Sequence, residues 1–536
     1  MINYWFVSRP KRKLNSVPDV LSVFAEQALH EVWSGQRESQ LSLEDALESS
    51  GLKRKGDRRD QSGSGARTYR SWLMSLGLLF TQISTKKLFL TLAGEAIMNG
   101  ASPVRILTNQ VFKFQYPSVY SQSRGVNISP RFHVHPFWFL LKLLTDKRLD
   151  FYLTQEEIAK IIITEAESDS NTCYEHIVAR ILAFREVGDK CLDDDFFEKY
   201  APSKGSINPD KPFDYLRDIA NTMLNWLEYT QFIVREHGRA QLLEERRTEA
   251  EEITSKPLTF ITRPEETELF QRKYGLDPAH RKDTRNINDT QTVTAMMIAE
   301  HRVKQEFISC SLQEPIGGIT SQLIDKIAEK TGIQSKIVQQ VLEKNYPHGS
   351  IGAFMTSYFE MAFHGQKQCR EFEEATANIF RNVFNFQSKW LGSASSGKEV
   401  PDILLVSDTV GYQAIIDTKA YSHYDLPTTQ RDRMIYHYLP DIRSYSDSEY
   451  PTRFFSYIAG GFSNTIATPL QKIVSATGVN GSAMPVANFI KMVEQHTIAP
   501  FSHDDIGRIF SLNRKIELKD IIGDTSHFIA AERYNK

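Results

Sequence analysis

The residues best suited to do chemistry lie between positions 401 and 419. Pro401-Asp402 opens the run Ile403-Leu404-Leu405-Val406; after a turn around Ser407 to Gly411, the run Ala414-Ile415-Ile416 closes on Asp417-Thr418-Lys419. Two β-rich runs joined by a short Asp/Gly-containing turn predict an antiparallel hairpin. A turn centred between Thr409 and Val410 sets Asp402 directly across from Asp417, with Cβ atoms about 5 Å apart. Period-2 alternation then puts Lys419 on the same face as Asp417.

Two carboxylates facing each other on a sheet repel, so the pair makes sense around a cation. Oxygen ligands without His or Cys favour Mg²⁺ over zinc. Phosphodiester hydrolysis needs a metal at the phosphate and a positive group to hold the nucleophile and the developing charge. Asp402 and Asp417 are expected to hold the metal, with the Thr418 carbonyl as a further oxygen. Lys419 is expected to position the attacking water and stabilise charge; work as a base would need a lowered pKa, which two nearby carboxylates oppose. Acidic-x-Lys triplets are common, about four by chance in a chain this rich in Asp, Glu and Lys. The hairpin context is what singles this one out.

The elements that must carry this site belong to a modular chain. Its 536 residues exceed one hydrophobic core and fit three or four compact units. With 41% hydrophobic, 24% charged and 11% aromatic residues it reads as an ordinary globular protein. The longest apolar run, Pro136 to Leu141 with Leu143 and Leu144 beyond Lys142, falls far short of the ~20 residues a membrane span needs. No apolar h-region follows the basic N-terminus, so an intracellular protein without membrane association is expected. Cys173, Cys191, Cys310 and Cys369 form no CxxC pair, which argues against a zinc ribbon or disulfide framework.

Net charge is only −2, yet residues 1–131 hold 18 Lys and Arg against 10 Asp and Glu. A polyanion would meet this segment first. Two stretches repeat a helix–hairpin pattern suited to winged-helix units. The first has a helix ending at Tyr69 to Met74, wing strands Gly77 to Phe80 and Lys87 to Thr91, and a closing helix Leu92 to Met98. Before it, a loop Lys53 to Arg70 carries Lys53, Arg54, Arg58, Arg67 and Arg70 around a Ser-Gly-Ser-Gly tract, a candidate for ordering along a phosphate backbone or reading guanine; the alternative is a solvated surface loop. The second has a helix over Tyr215 to Tyr229, then Phe232-Ile233-Val234 and a turn at His237-Gly238. His133 and His135 could share a strand face, but no further ligand follows at metal spacing, so a non-metal role is expected. Phe112, Phe114, Tyr116 and Tyr120 could stack on bases, but such a cluster is more often core.

At its hairpin the chain resembles the FokI cleavage domain of the PD-(D/E)xK nuclease superfamily. The resemblance is carried by Asp417-Thr-Lys-Ala-Tyr-Ser422, Tyr424-Asp-Leu-Pro427, Gln430, Asp432 and Met434, by Lys389-Trp-Leu-Gly392 upstream, and by Phe454 to Phe462 with Asn480-Gly481 downstream. It implies a sheet flanked by helices, Glu373 as an additional active-site acid, and a helix after Pro427 by which cleavage domains pair transiently. Asp432 fits that pairing helix, whereas Tyr436 stands where an arginine partner would be expected. The N-terminal half is similar to the AlwI-type group of type IIS enzymes at Asn3-Tyr-Trp-Phe-Val-Ser8, Leu90-Thr-Leu-Ala-Gly94, Phe112-Lys-Phe-Gln-Tyr-Pro117, Thr262-Arg263 and Tyr274-Gly275.

This resemblance, added to the helix–hairpin patterns and the charged, helix-rich stretch read from the residues, predicts an α+β multidomain protein: winged-helix-like DNA-recognition domains at 1–150 and 151–250, a helical linker at 251–349, and an α/β PD-(D/E)xK nuclease domain with a central mixed sheet at 350–536. It further implies double-stranded DNA as partner, Mg²⁺ as cofactor, a transient homodimer, a cognate DNA methyltransferase in the same system, and a bacterial cytoplasmic setting. A strand-specific nickase, a nuclease of broad specificity and a winged-helix regulator with an inactive nuclease-like domain are the alternatives.

Overall fold

The computed structural model describes residues 1–54, 62–118, 126–202, 213–263, 265–287, 295–363, 365–392 and 400–523. The chain divides into two compact units, Met1–Ser309 with Ile319–Pro347, and Cys310–Gly318 with His348–Lys536. No described helix is long and apolar enough to cross a membrane.

In the first unit, helix Ser64–Ser75 leads into the antiparallel pair β1 (Leu79–Thr81) and β2 (Leu88–Leu90), with Leu79 opposite Leu90. Helix Leu92–Met98 follows, started by Thr91, whose hydroxyl accepts from the Gly94 amide at 3.1 Å and donates to the Gly77 carbonyl at 2.6 Å. The second helix–hairpin is helix Asp214–Tyr229 followed by β4 (Ile233–Glu236) and β5 (Arg239–Leu242) around His237-Gly238. A strand far earlier in the chain, β3 (Tyr152–Thr154), pairs antiparallel with β5, giving the order β3-β5-β4.

Phe112, Phe114 and Tyr116 are core, with Phe114 edge-on to Trp226 and Phe137; Tyr120 lies outside the described residues. His135 Nδ1 sits 2.6 Å from Asp169 Oδ2, and His133 stacks on Phe260 at 3.6 Å. The segment expected to link the two halves contributes helix Thr267–Tyr274 to the first unit. Gln271 donates to the Met74 and Leu79 carbonyls, and Tyr274 Oη donates to the Ser75 and Gln110 carbonyls.

The second unit is a five-stranded mixed sheet in the order β10-β9-β8-β7-β6 with helices on both faces. β6 (Gln387–Trp390), β7 (Ile403–Ser407) and β8 (Tyr412–Lys419) run antiparallel in turn; β9 (Thr452–Ala459) and β10 (Asn480–Pro485) continue parallel to β8. Parallel neighbours need crossovers, supplied here by the helical stretch Thr428–Tyr438 and by helix Ala467–Thr477. β8 is the middle strand and is buried along nearly its whole length, with the apolar run Ala414-Ile415-Ile416 at its centre, as suits a strand covered on both faces. On one face Leu404, Ile415, Phe455 and Tyr457 pack with Met434, Tyr438 and Leu470. On the other, Phe454 stacks on Phe510, which meets Phe380; Phe380 also meets Phe489.

Candidate active site

The β7–β8 hairpin closes through the turn 408–411, where the Gly411 amide donates to the Ser407 carbonyl at 2.8 Å. Gly411 has φ +76°, a left-handed conformation that a side chain disfavours. This turn sets Ile403 opposite Ile416 and Leu404 opposite Ile415. Asp402, one residue before β7, therefore lies across from Asp417, in the register expected from the sequence.

Lys419 Nζ is 2.7 Å from Asp417 Oδ2 and 3.7 Å from Asp402 Oδ2. Asp402 Oδ2 accepts from the Thr418 amide at 2.6 Å and from Thr418 Oγ1 at 3.1 Å. Sequence reasoning considered only the Thr418 carbonyl and missed these two donors, which fix the rotamer of Asp402. Asp417 is almost wholly buried, and apart from the ammonium no described hydrogen-bond donor reaches its Oδ2. Burial, then the charge of Asp402, push the Asp417 carboxyl up to about 7 against the pull of Lys419. Burial would lower the Lys419 ammonium, but Asp402 and Asp417 outweigh it and hold it well above its ordinary value.

Glu373 stands on helix Cys369–Asn382, where Trp390 Nε1 donates to its Oε2 at 3.1 Å. Burial and then Asp402 raise its pKa, so it belongs to the same electrostatic cluster as the hairpin groups. Trp390 and Gly392 fall in the Lys389-Trp-Leu-Gly392 stretch but had no assigned role. A Cβ at Gly392 would collide with Glu373 Oε2 and approach Trp390 Nε1 to 2.8 Å. A side chain at 392 would thus push the Glu373 carboxylate aside. Tyr424 was likewise given no role: its ring lies 6.0 Å from that of Tyr457, its buried Oη has no partner among the described residues, and burial raises its pKa.

The remaining predicted positions are spread out. Lys53 Nζ is held by Glu44 at 2.6 Å and Glu48 at 3.2 Å, so its charge is already compensated. Arg54 is exposed, and Arg58 lies outside the described residues. Arg67 and Arg70 stand on helix Ser64–Ser75 rather than in a loop. The correction has a local cause: Gly63 takes a left-handed φ of +77° and turns the Ser-Gly tract into the helix entry. Asp432 accepts from its neighbour Arg431 at 2.8 and 3.0 Å, and Tyr436 is 67% exposed.

Residues 332–517 match the family model of the FokI cleavage domain. Residues 83–237 match the model of the type II restriction endonuclease HgaI, N-terminal domain. The chain is a type II restriction endonuclease. Like FokI, the endonuclease joins a DNA-binding part to a cleavage domain, and its five-stranded sheet falls within the matched cleavage region. The AlwI-type likeness of its N-terminal motifs has no counterpart in these matches.

Among solved structures, restriction endonuclease FokI aligns over 96% of the endonuclease and 99% of its own chain, at 14% identity and TM-score 0.28. FokI bound to DNA aligns over 92% and 89%, also at 14% identity and TM-score 0.28. The BpuJ1 endonuclease binding domain, in complex with pyrene- and phenanthrene-modified DNA, aligns over 51% of the endonuclease and 94% of its own chain, at 14% identity and TM-score 0.33. At such TM-scores the family matches alone carry the assignment. No curated protein matches the chain.

Proposed function

We propose that the endonuclease works as a type IIS enzyme: its first unit binds a short asymmetric duplex site, and its second unit hydrolyses phosphodiester bonds a few base pairs outside it, with Mg²⁺. The observation that carries this reading is the convergence of Asp402, Asp417 and Lys419 at the open end of one hairpin, with Glu373 electrostatically coupled to Asp402.

A hard divalent cation fits the residues present. The donors are all oxygen, and Asp417 Oδ2 is buried with only an ammonium to meet it. Among the described residues no three of His, Cys, Asp and Glu form a ready-made metal cluster. Mg²⁺ keeps several waters and binds through one or two carboxylates plus substrate phosphate, so a pair of carboxylates is enough for it. Asp402 and Asp417 would hold it, with the Thr418 carbonyl as third oxygen. Bound there, the cation would neutralise the carboxylate pair and the scissile phosphate. Lys419, held as an ammonium, would orient the attacking water by hydrogen bonding and offset the charge that develops on the phosphate. Trp390 would keep Glu373 turned toward Asp402, and Thr418 would keep the Asp402 carboxylate from rotating away.

Double-strand cutting by this reading uses transient pairing of two cleavage domains through the helix that bears Asp432, and self-protection uses a methyltransferase of the same system. The internal Arg431–Asp432 pair favours a second reading, in which pairing is weak and the enzyme nicks one strand. Run-off sequencing of both strands of a cleaved linear DNA separates them. Ends at fixed offsets from one asymmetric sequence on both strands support the type IIS reading, ends on one strand support nicking, and scattered ends contradict both.

A further inference from the structure

A second constellation lies wholly within the first unit. A pocket of about 620 Å³ is bounded by the segment around Ser8, by Trp33–Gly35 and by the first turns of helix Ser64–Ser75. Arg9, Arg67 and Arg70 line it, and none of its described lining residues is acidic. Arg70 is anchored by Nη2, which donates to Thr81 Oγ1 at 2.7 Å, while its buried Nε has no acceptor among the described residues. Ser8 Oγ is buried too and has no partner among the described residues. Among the described residues Arg67 bonds uncharged oxygens, those of Gln40 and Ser62.

Several other partly buried guanidiniums of this unit are matched by carboxylates, Arg185 by Glu157, Arg180 by Glu165, Arg272 and Arg285 by Asp283, while Arg235 is held by the Asn221 and Asn225 side-chain oxygens. Among the described residues the partly buried Arg70 has no such partner, and neither has the exposed Arg67. Burial alone pulls the Arg70 pKa down to about 10. A buried cation without a described counterion, lining the same pocket as a buried hydroxyl without a described partner, is costly in a structural element and useful in a site that awaits an anion. The guanidinium fork fits phosphate oxygens, and the volume lies within the about 300–1,000 Å³ of ordinary ligand pockets.

We propose that this pocket seats a backbone phosphate of the bound DNA duplex, with Arg70, Arg67 and Ser8 as donors. The inference rests on the reading of the first unit as the DNA-binding part. Such a contact fixes the protein on the duplex without itself reading sequence.

The test uses the full chain without divalent metal and a fluorescent duplex of mixed sequence, titrated across a range of NaCl. R67Q and R70Q are each expected to weaken binding by roughly five- to tenfold and to lower the slope of log affinity against log salt by about one. R70Q should melt at or above the wild-type temperature, whereas an arginine serving only the fold would lower it. R67Q carries the test if R70Q fails to fold. Wild-type affinity and slope in R67Q would overturn the proposal. So would stabilisation by micromolar inorganic phosphate or a mononucleotide that R67Q loses while its DNA affinity stays intact, because the pocket would then serve a free ligand. A wild-type chain that binds no duplex at all would remove the DNA-binding reading itself, a result distinct from either.

Discussion

At the scale of single residues the account turns on Asp417. Its carboxyl sits near 7 in the metal-free fold against about 4 in an unfolded chain. Between those values the folded state binds a proton that the unfolded state has lost, so stability falls as pH rises through that window and stays low above it. A bound divalent cation relieves the penalty. The rise in melting temperature on adding Mg²⁺ is therefore expected to be larger at pH 8 than at pH 6, and to vanish in D417N; an equal rise at both pH values in wild type would contradict this. D417N itself should lose cleavage by at least about a thousandfold, in line with removal of a transition-state electrostatic group, while melting at pH 8 no lower than metal-free wild type. Beside it, G392A should reduce cleavage by about tenfold or more by displacing Glu373, with a misplacement of about 1 Å sufficient for that loss; unchanged kcat with intact folding would remove Glu373 from the site. Asp402, Asp417 and Lys419 were legible in the sequence because alternation and turn length fix their face. Trp390, Gly392 and the Thr418 hydroxyl were not, since they act through contacts with groups far along the chain.

At the scale of elements, what was legible was local. The β7–β8 register and both helix–hairpin patterns follow from short turns between periodic runs. β3 did not announce itself: three residues carry no period, and their partner β5 lies more than eighty positions on. The helical start at Ser64 was hidden because Ser and Gly read as loop, whereas here a left-handed glycine makes them a helix entry. Downstream, the polar stretch near Arg281 holds a clasp. The Asp283 side chain is almost fully covered and bonds Arg272 at 2.9 Å and Arg285 at 2.8 and 2.9 Å, and Arg285 also pairs with Glu95. Burial pushes the Asp283 carboxyl up, but hydrogen bonds from Arg285 and Arg272 outweigh it and hold it below the usual range. Its contribution is thus present at neutral pH and lost as pH falls below about 4. D283N should destabilise the first unit by about 2–4 kcal/mol, since breaking a buried pair strands its partners; urea titration at pH 7 checks this, and the difference should shrink toward pH 3.

At the scale of the whole molecule, the two units have separate cores, so their unfolding need not be one event. Calorimetry of the metal-free chain should resolve two transitions, with D283N lowering one and leaving the other in place. A single transition that shifts as a whole would contradict separate cores. Separation of binding and cutting also makes the central claim directly measurable. Supercoiled plasmid is incubated with wild-type protein and with D417A, each with Mg²⁺ or with EDTA. The account predicts discrete linear fragments from wild type with Mg²⁺ only, and none from D417A although it still retards DNA in a gel. Intact plasmid in every lane, or equal cutting by D417A, would contradict it.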